Sequence, residues 1–133
     1  MEKSLIELIL ARPETPLNVD FDLKNLAASR VLITGGRGSL GQEVANIFGN
    51  HSIDFLLTDI EECDVTNLDQ VRTVFHSYKP THVLHLAADK HAPEGELHPE
   101  RTFAINTTGS MNVISAAKEL NCLITLASTC KSC

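Results

Sequence analysis

The chain has 133 residues, of which 43% are hydrophobic and 21% charged, the size and balance of one globular domain able to bury a core. A net charge of −6, with a pI near 5.4 and no basic cluster, excludes the electrostatic footprint of a nucleic-acid-binding protein. No apolar run approaches the roughly 18 residues of a membrane span. Leu5–Ala11, interrupted by Glu7, is too short and lacks the basic flank of a secretory signal, so the expected location is the cytoplasm.

Residues 1–29 read as a helical preface. Ser4–Ala11 has the pattern of a short amphipathic helix, broken by Pro13 and Pro16, which fix φ and remove a donor. Asp22–Ala28, with Leu23 and Leu26 three apart, reads as a second short helix. Neither is long enough to stand alone, so both are expected to pack on the domain or on another subunit. Residues 30–133 read as the nucleotide-binding domain. It opens on Arg30-Val31-Leu32-Ile33, a short apolar run typical of a buried parallel strand.

Thr34-Gly35-Gly36-Arg37-Gly38-Ser39-Leu40-Gly41 follows. Gly36, Gly38 and Gly41 fit G-x-G-x-x-G, and Gly35, Gly38 and Gly41 fit G-x-x-G-x-x-G. Glycines in this pattern turn the chain tightly, let backbone amides reach a pyrophosphate and let a helix lie on its strand. Over residues 39–49, Leu40, Val44, Ile47 and Phe48 form an apolar helical stripe. The N-terminus of that helix faces the phosphates with unpaired N–H groups and the positive end of its dipole. A second strand at 53–58 ends at Asp59, which lies 24 residues after Gly35, near the offset of the carboxylate that bonds an adenosine ribose. Strand, glycine turn, helix, strand and acid together indicate dinucleotide binding.

Ile60–Val65 is too short for a crossover helix and a third strand. Thr66-Asn67-Leu68-Asp69 carries a capping signal. Leu68, Val71, Val74, Phe75 and Tyr78 make the stripe of the next helix, which Pro80 ends. A strand follows at 82–87, then a loop rich in Gly, Pro and His from Ala88 to Pro99. A long helix is expected at about 100–120, with Phe103, Met111, Ile114, Ala117 and Leu120 inward, and a last strand at 123–127. The alternation predicts a parallel, doubly wound α/β sheet of about four strands with helices on both faces. The expected order is 53–58, 30–34, 82–87, 123–127, which is 2-1-4-5 if the omitted third strand keeps its number. Ligands bind outside the carboxyl ends of such strands.

Cys63, Cys122, Cys130 and Cys133 read as reduced thiols. Cys130-Lys-Ser-Cys133 is a C-x-x-C, but no second pair or histidine pair completes a zinc set, so no metal is expected. His82 and His85, three apart on a strand, fall on opposite faces. His51, His76 and His98 read as surface residues.

Several blocks in order resemble the extended short-chain dehydrogenase/reductases with their Rossmann-type fold. They are most similar to the capsular-polysaccharide type of nucleotide-sugar 4,6-dehydratase and epimerase. Arg12-Pro13 and Pro16-Leu17-Asn18-Val19-Asp20 resemble the segment before the first strand, and Val31–Gly41 the glycine turn. Asp64-Val65-Thr66 resembles the block at the adenine ring. His85-Leu86-Ala87-Ala88-Asp89-Lys90-His91-Ala92-Pro93 resembles H-x-A-A-x-K-H-x-P. Phe103–Ala117, with Asn106 and Gly109, resembles the helix that follows. Ser128-Thr129-Cys130-Lys131 resembles S-T-D-K.

The resemblance implies a cofactor site of Gly35, Gly36, Arg37, Gly38, Ser39, Leu40, Gly41, Asp59, Asp64, Val65, Ala87, Ala88 and Lys90, with His91 beside Lys90 toward the sugar. It implies a structural Asn106, whose side chain bonds backbone, and a catalytic remnant of Thr129 and Lys131. The cofactor is NAD or NADP. Asp59 at the strand end favours NAD; Arg37 either pairs with a 2′-phosphate or is simply solvated. The family's sugar chemistry has Lys131 as base and the residue at 130 as acid. Cys130 stands where the acid belongs, and a thiol near pKa 8.5 does not replace a carboxyl near 3.9. No Tyr-x-x-x-Lys pair occurs; the one tyrosine is Tyr78. The expectation is therefore the NAD(P)-binding portion of a nucleotide-sugar dehydratase or epimerase, a lyase or isomerase of polysaccharide biosynthesis, inactive alone. The alternatives are a reductase of the same superfamily, favoured by the short connection after Asp59, and a stand-alone binding or regulatory module. In the latter a second copy would cover the open sheet edge as a homo-oligomer.

Overall fold

The computed structural model describes residues 23–90 and 92–128. Its elements are β1 (Arg30–Thr34), α1 (Ser39–Asn50), β2 (Asp54–Thr58), α2 (Leu68–Tyr78), β3 (His82–His85), α3 (Ala92–Leu97), α4 (Pro99–Phe103), α5 (Ser110–Glu119) and β4 (Leu123–Leu126). A 3-10 turn, Leu23–Leu26, precedes β1. All pairings are parallel and the strand order is β2-β1-β3-β4, the predicted arrangement. The predicted helix at Ser4–Ala11 and the C-x-x-C cysteines lie outside the described residues. Among the described residues no helix is long and apolar enough to cross a membrane.

The chain runs from β1 outward to β2 and returns past β1 to β3. The order therefore reverses at β1, and a crevice opens there at the carboxyl ends. β1 is central and almost wholly buried from Val31 to Thr34. Its side chains alternate between two cores. Leu32 joins Val71 and Phe75 of α2, Val83 of β3, and Val113, Ala116 and Ala117 of α5. Val31 and Ile33 join Ile53, with Val44 and Phe48 of α1 half-buried against them. The Asn67 carboxamide caps α2 by accepting from the N–H groups of Asp69 and Gln70, as the capping signal predicted. Lys79 ends α2 in the left-handed region at φ 53°, ahead of Pro80.

Four expectations need correction. In α1 the inward stripe is Gly41, Val44 and Phe48, while Leu40 and Ile47 are exposed. The close seat of Gly41 turns the first helical turn so that Leu40 faces out. The loop expected from Ala88 to Pro99 contains α3, and Pro99 opens α4, where a missing N–H costs nothing. The single helix at 100–120 is α4, a π-helical stretch at Ala104–Gly109, and α5. Of the residues expected inward, Ala117 is buried and Ile114 and Leu120 are half-buried, while Phe103 and Met111 are exposed; after the π-helical stretch Val113 and Ala116 join the buried face. Finally, the strands are a residue or two shorter than expected at 53–58, 82–87 and 123–127.

Candidate functional site

The site begins with backbone. Gly35 sits at φ 68°, a conformation L side chains rarely adopt, and a Cβ there would lie 2.6 Å from the Ala87 amide nitrogen. The end of β1 and the segment after β3 thus touch main chain to main chain. Gly41 is equally constrained: its Cβ would lie 2.4 Å from the Gly36 carbonyl oxygen. Gly38 differs. Its φ of −67° suits any residue, and a Cβ would meet only the Gly35 carbonyl oxygen at 3.3 Å. The fold demands glycine at 35 and 41; at 38 a Cβ needs only a few tenths of an ångström from that carbonyl.

Two connected cavities open at the carboxyl ends of the strands. One, of about 310 Å³, is lined by Gly35, Gly38, Asp59, Ile60, Cys63, Asp64, Val65, Leu86, Ala87, Ala88, Lys90, Arg101 and Ile105. The other, of about 720 Å³, is lined by Gly35, Gly38, Ser39, Leu40, Gly41, His85, Leu86, Ala87, Ala88, Asp89, Lys90, Asn106, Ser110, Leu126, Ala127 and Ser128. Both share Gly35, Gly38, Leu86–Ala88 and Lys90, so they form two lobes of one cleft meeting over the glycine turn. Of the predicted site residues, Asp59, Asp64 and Val65 fall in the smaller lobe, and Ser39, Leu40 and Gly41 in the larger. Gly36 and Arg37 line neither. Gly36 packs against Leu57. Thr129, Lys131 and His91 lie outside the described residues.

Polar bonds tie the walls. Gly36 N–H donates to the Thr58 carbonyl at 2.9 Å, and Arg37 N–H to Asp59 Oδ2 at 3.1 Å. The Arg37 guanidinium reaches Glu61 and Glu62, so the arginine is paired as well as exposed to solvent. The other Glu62 oxygen accepts from Asp59 N–H at 3.0 Å. That N–H and the guanidinium hold the Glu62 carboxyl below its usual range, and Glu62 raises Arg37 in turn. Beyond β3, Asn106 brackets Asp89: Oδ1 accepts from the Asp89 N–H at 2.7 Å and Nδ2 donates to the Asp89 carbonyl at 2.9 Å. The expected backbone role of Asn106 is present, on the cleft wall.

Sequence reasoning missed the buried chain under the larger lobe. Thr34 Oγ1 lies 2.6 Å from His85 Nδ1, and His85 Nε2 lies 3.1 Å from Ser110 Oγ. Ser110 donates its hydroxyl proton to the Asn106 carbonyl at 2.8 Å, so it accepts from Nε2–H. Nδ1 then accepts from Thr34. Burial lowers the His85 pKa, which keeps this neutral tautomer in place. The clue was in the sequence: a threonine ending β1 and a histidine ending β3 fall side by side in a parallel register. Cys63 and Arg101 in the smaller lobe carried no signal beyond their types. Among the described residues no group of three His, Cys, Asp or Glu is placed to hold a metal ion.

This architecture defines a Rossmann-type α/β domain, and the comparisons give its family. Residues 29–130 match the family described as the RmlD substrate binding domain, and the chain belongs to that family, within the extended short-chain dehydrogenase/reductases. It is 32% identical over 102 residues to a dTDP-4-dehydrorhamnose reductase of Aggregatibacter actinomycetemcomitans, covering 76% of this chain and 35% of the relative. It is 26% identical to the capsular polysaccharide biosynthesis protein CapD of Staphylococcus aureus, covering 90% of this chain and 24% of the relative. Among solved structures it resembles a dTDP-4-dehydrorhamnose reductase of Bacillus anthracis in complex with NADP (TM-score 0.69, 28% identity, 72% of this chain and 34% of that one). It also resembles the Bordetella bronchiseptica enzyme WbmG in complex with NAD (TM-score 0.62, 30% identity, 71% and 35%). The chain thus spans about a quarter to a third of the length of the curated relatives it matches.

Proposed function

We propose that this chain is the NAD(P)-binding region of an enzyme that remodels a nucleotide-linked sugar for polysaccharide biosynthesis. The observation that carries the reading is the two-lobed cleft meeting over Gly38. That glycine has an ordinary backbone conformation and one close neighbour for a Cβ, the Gly35 carbonyl oxygen at 3.3 Å, so its bareness suits a ligand more than the fold. Such a cradle fits a pyrophosphate beside the first turn of α1. The smaller lobe, with Asp59, Asp64 and Val65, takes the adenosine, and the larger takes the nicotinamide. A nicotinamide cofactor accepts and returns hydride when bound. Gly35, Ala87 and Ala88 supply close main-chain approach, Lys90 supplies a cation shared by both lobes, and the neutral His85 supports the floor.

The substrate class comes from the relatives, whose names include a dTDP-sugar reductase and a capsular polysaccharide protein. A dehydratase or epimerase follows the H-x-A-A-x-K-H-x-P resemblance. A reductase is the second reading, supported by the turn at 59–67 that joins β2 to α2 without an intervening strand and by the family match. In either case the catalytic remnant is Thr129 and Lys131, with Cys130 in the acid position and no Tyr-x-x-x-Lys among the 133 residues. These residues alone bind cofactor without turnover, because removing members of a catalytic set costs nearly its whole effect.

Thermal denaturation with and without dinucleotide tests the binding. A ligand at 100 times its Kd stabilises by about 2.7 kcal/mol, or several degrees in Tm for a domain of this size. Gly38→Val should keep the unliganded Tm within about two degrees and lose the shift with both NAD and NADP. An undiminished shift in that variant would place the ligand elsewhere.

A further inference from the structure

The turn after β2 holds Asp59, Glu61, Glu62 and Asp64, and the cation facing it is Arg37. Arg37 follows the two glycines that end β1, a position from which a guanidinium could reach the ribose end of the smaller lobe. It does not line that lobe. One terminal guanidinium nitrogen donates to Glu61 and the other to Glu62. Glu62 is itself fixed by the Asp59 N–H. The Arg37 N–H occupies Asp59 Oδ2, and the Ile60 N–H occupies Oδ1 at 2.9 Å. The carboxylate lining the lobe is thus held in place by main chain, while the arginine is drawn to the outside of the turn.

Resting on the dinucleotide reading above, we propose that Glu61 and Glu62 select NAD over NADP by holding the Arg37 guanidinium away from the adenosine ribose. A ribose with free hydroxyls can donate to Asp59, whose oxygens have lone pairs left. A 2′-phosphate brings about −1.5 to −2 charges and needs a cation, ideally an arginine fork. Here the lobe presents it with the Asp59 and Asp64 carboxylates, and the arginine that faces this turn is already paired to both Glu61 and Glu62. The cations that line the lobe, Lys90 and Arg101, come from segments after β3. All three members of the clamp are exposed, so the pairs are weak individually, and removing the glutamates releases Arg37 without disturbing the core.

The test is equilibrium titration of the 133-residue chain with NAD and with NADP, read by calorimetry, in a mutant cycle. Wild type should bind NAD at least tenfold tighter than NADP. Arg37→Ala alone should change NADP affinity by less than twofold, because that arginine is already occupied. The double variant Glu61→Gln, Glu62→Gln should gain at least fivefold in NADP affinity, and adding Arg37→Ala to it should abolish the gain. Wild type preferring NADP, or a double variant with no gain, would overturn the selector. So would a gain that survives loss of Arg37, since bulk charge and not the arginine would then be acting. Binding of neither dinucleotide to wild type would instead sink the dinucleotide reading itself. Circular dichroism melts of each variant confirm that folded protein is titrated.

Discussion

The two faces of the sheet are closed very differently. On the face of Leu32 and Val83, α2 and α5 lie side by side, pinned to each other by an Arg72–Glu119 ion pair at 2.6 Å. Nine buried residues fill the space beneath them, Phe75 at the centre. On the face of Val31 and Ile33, among the described residues, α1 covers β1 and β2, with Leu26 of the 3-10 turn packed beside it. There the register sets Leu84 beside Thr125 and His82 beside Leu123. Leu84 is half-buried, and Leu123 is 67% exposed. Each crossover helix covers the strands it joins. Among the described residues two such helices fall on one face and one on the other, and the larger buried cluster lies on the side that also carries the His85 chain under the cleft.

The largest effect is expected at the centre of the packed face. Phe75 is 1% exposed, and Phe75→Ala should cost about 3–5 kcal/mol in urea denaturation. A loss below about 1 kcal/mol would mean that this face is not where stability resides. A second, smaller effect comes from Cys63 in the same core. Burial, reinforced by Asp64, pushes its thiol up to about 11 from 9.0. The folded state therefore keeps a proton that the unfolded chain releases. That contribution is complete below about pH 9 and is lost as pH rises from there to about 11, on the order of 1–2 kcal/mol. Denaturation curves at pH 8.5 and 10.5 should show wild type losing more stability over the interval than Cys63→Ala. Parallel losses would show that the thiol is not held protonated. The smallest effect belongs to the open face: Leu123→Ser should move stability by less than about 0.5 kcal/mol. A cost above 2 kcal/mol there would erase the asymmetry.

Much of this was legible in the sequence because its signals are local. An apolar tetrapeptide, a glycine turn and an apolar stripe specify β1 and α1 without knowledge of the rest, and Asn67 announced α2. What escaped was long-range or subtractive. The periodicity of 100–120 implied one helix, because a π-helical stretch leaves the residue types unchanged while rotating everything after it. Leu40 is apolar yet exposed because Gly41, one position on, takes the place against Gly36. The glycine motif named the right loop but could not assign roles within it. That Gly35 and Gly41 serve packing while Gly38 is the more open position depends on what each faces, and so does the capture of Arg37 by two glutamates more than 20 residues away.

The Asn106 bracket on Asp89 has a consequence of its own. β3 ends at His85, and among the described residues no strand accompanies the backbone at Asp89. At Asp89 a side-chain amide supplies both the acceptor and the donor that a neighbouring strand would have offered. Asn106 thus impersonates one peptide unit of a missing strand. Because it rides on the π-helical stretch leading into α5, that wall of the cleft is indexed to the helix, and the two should fluctuate together. The Asp89 amide proton, which sits in what looks like open loop, should then exchange with solvent on the timescale of the helix and not on that of the loop around it.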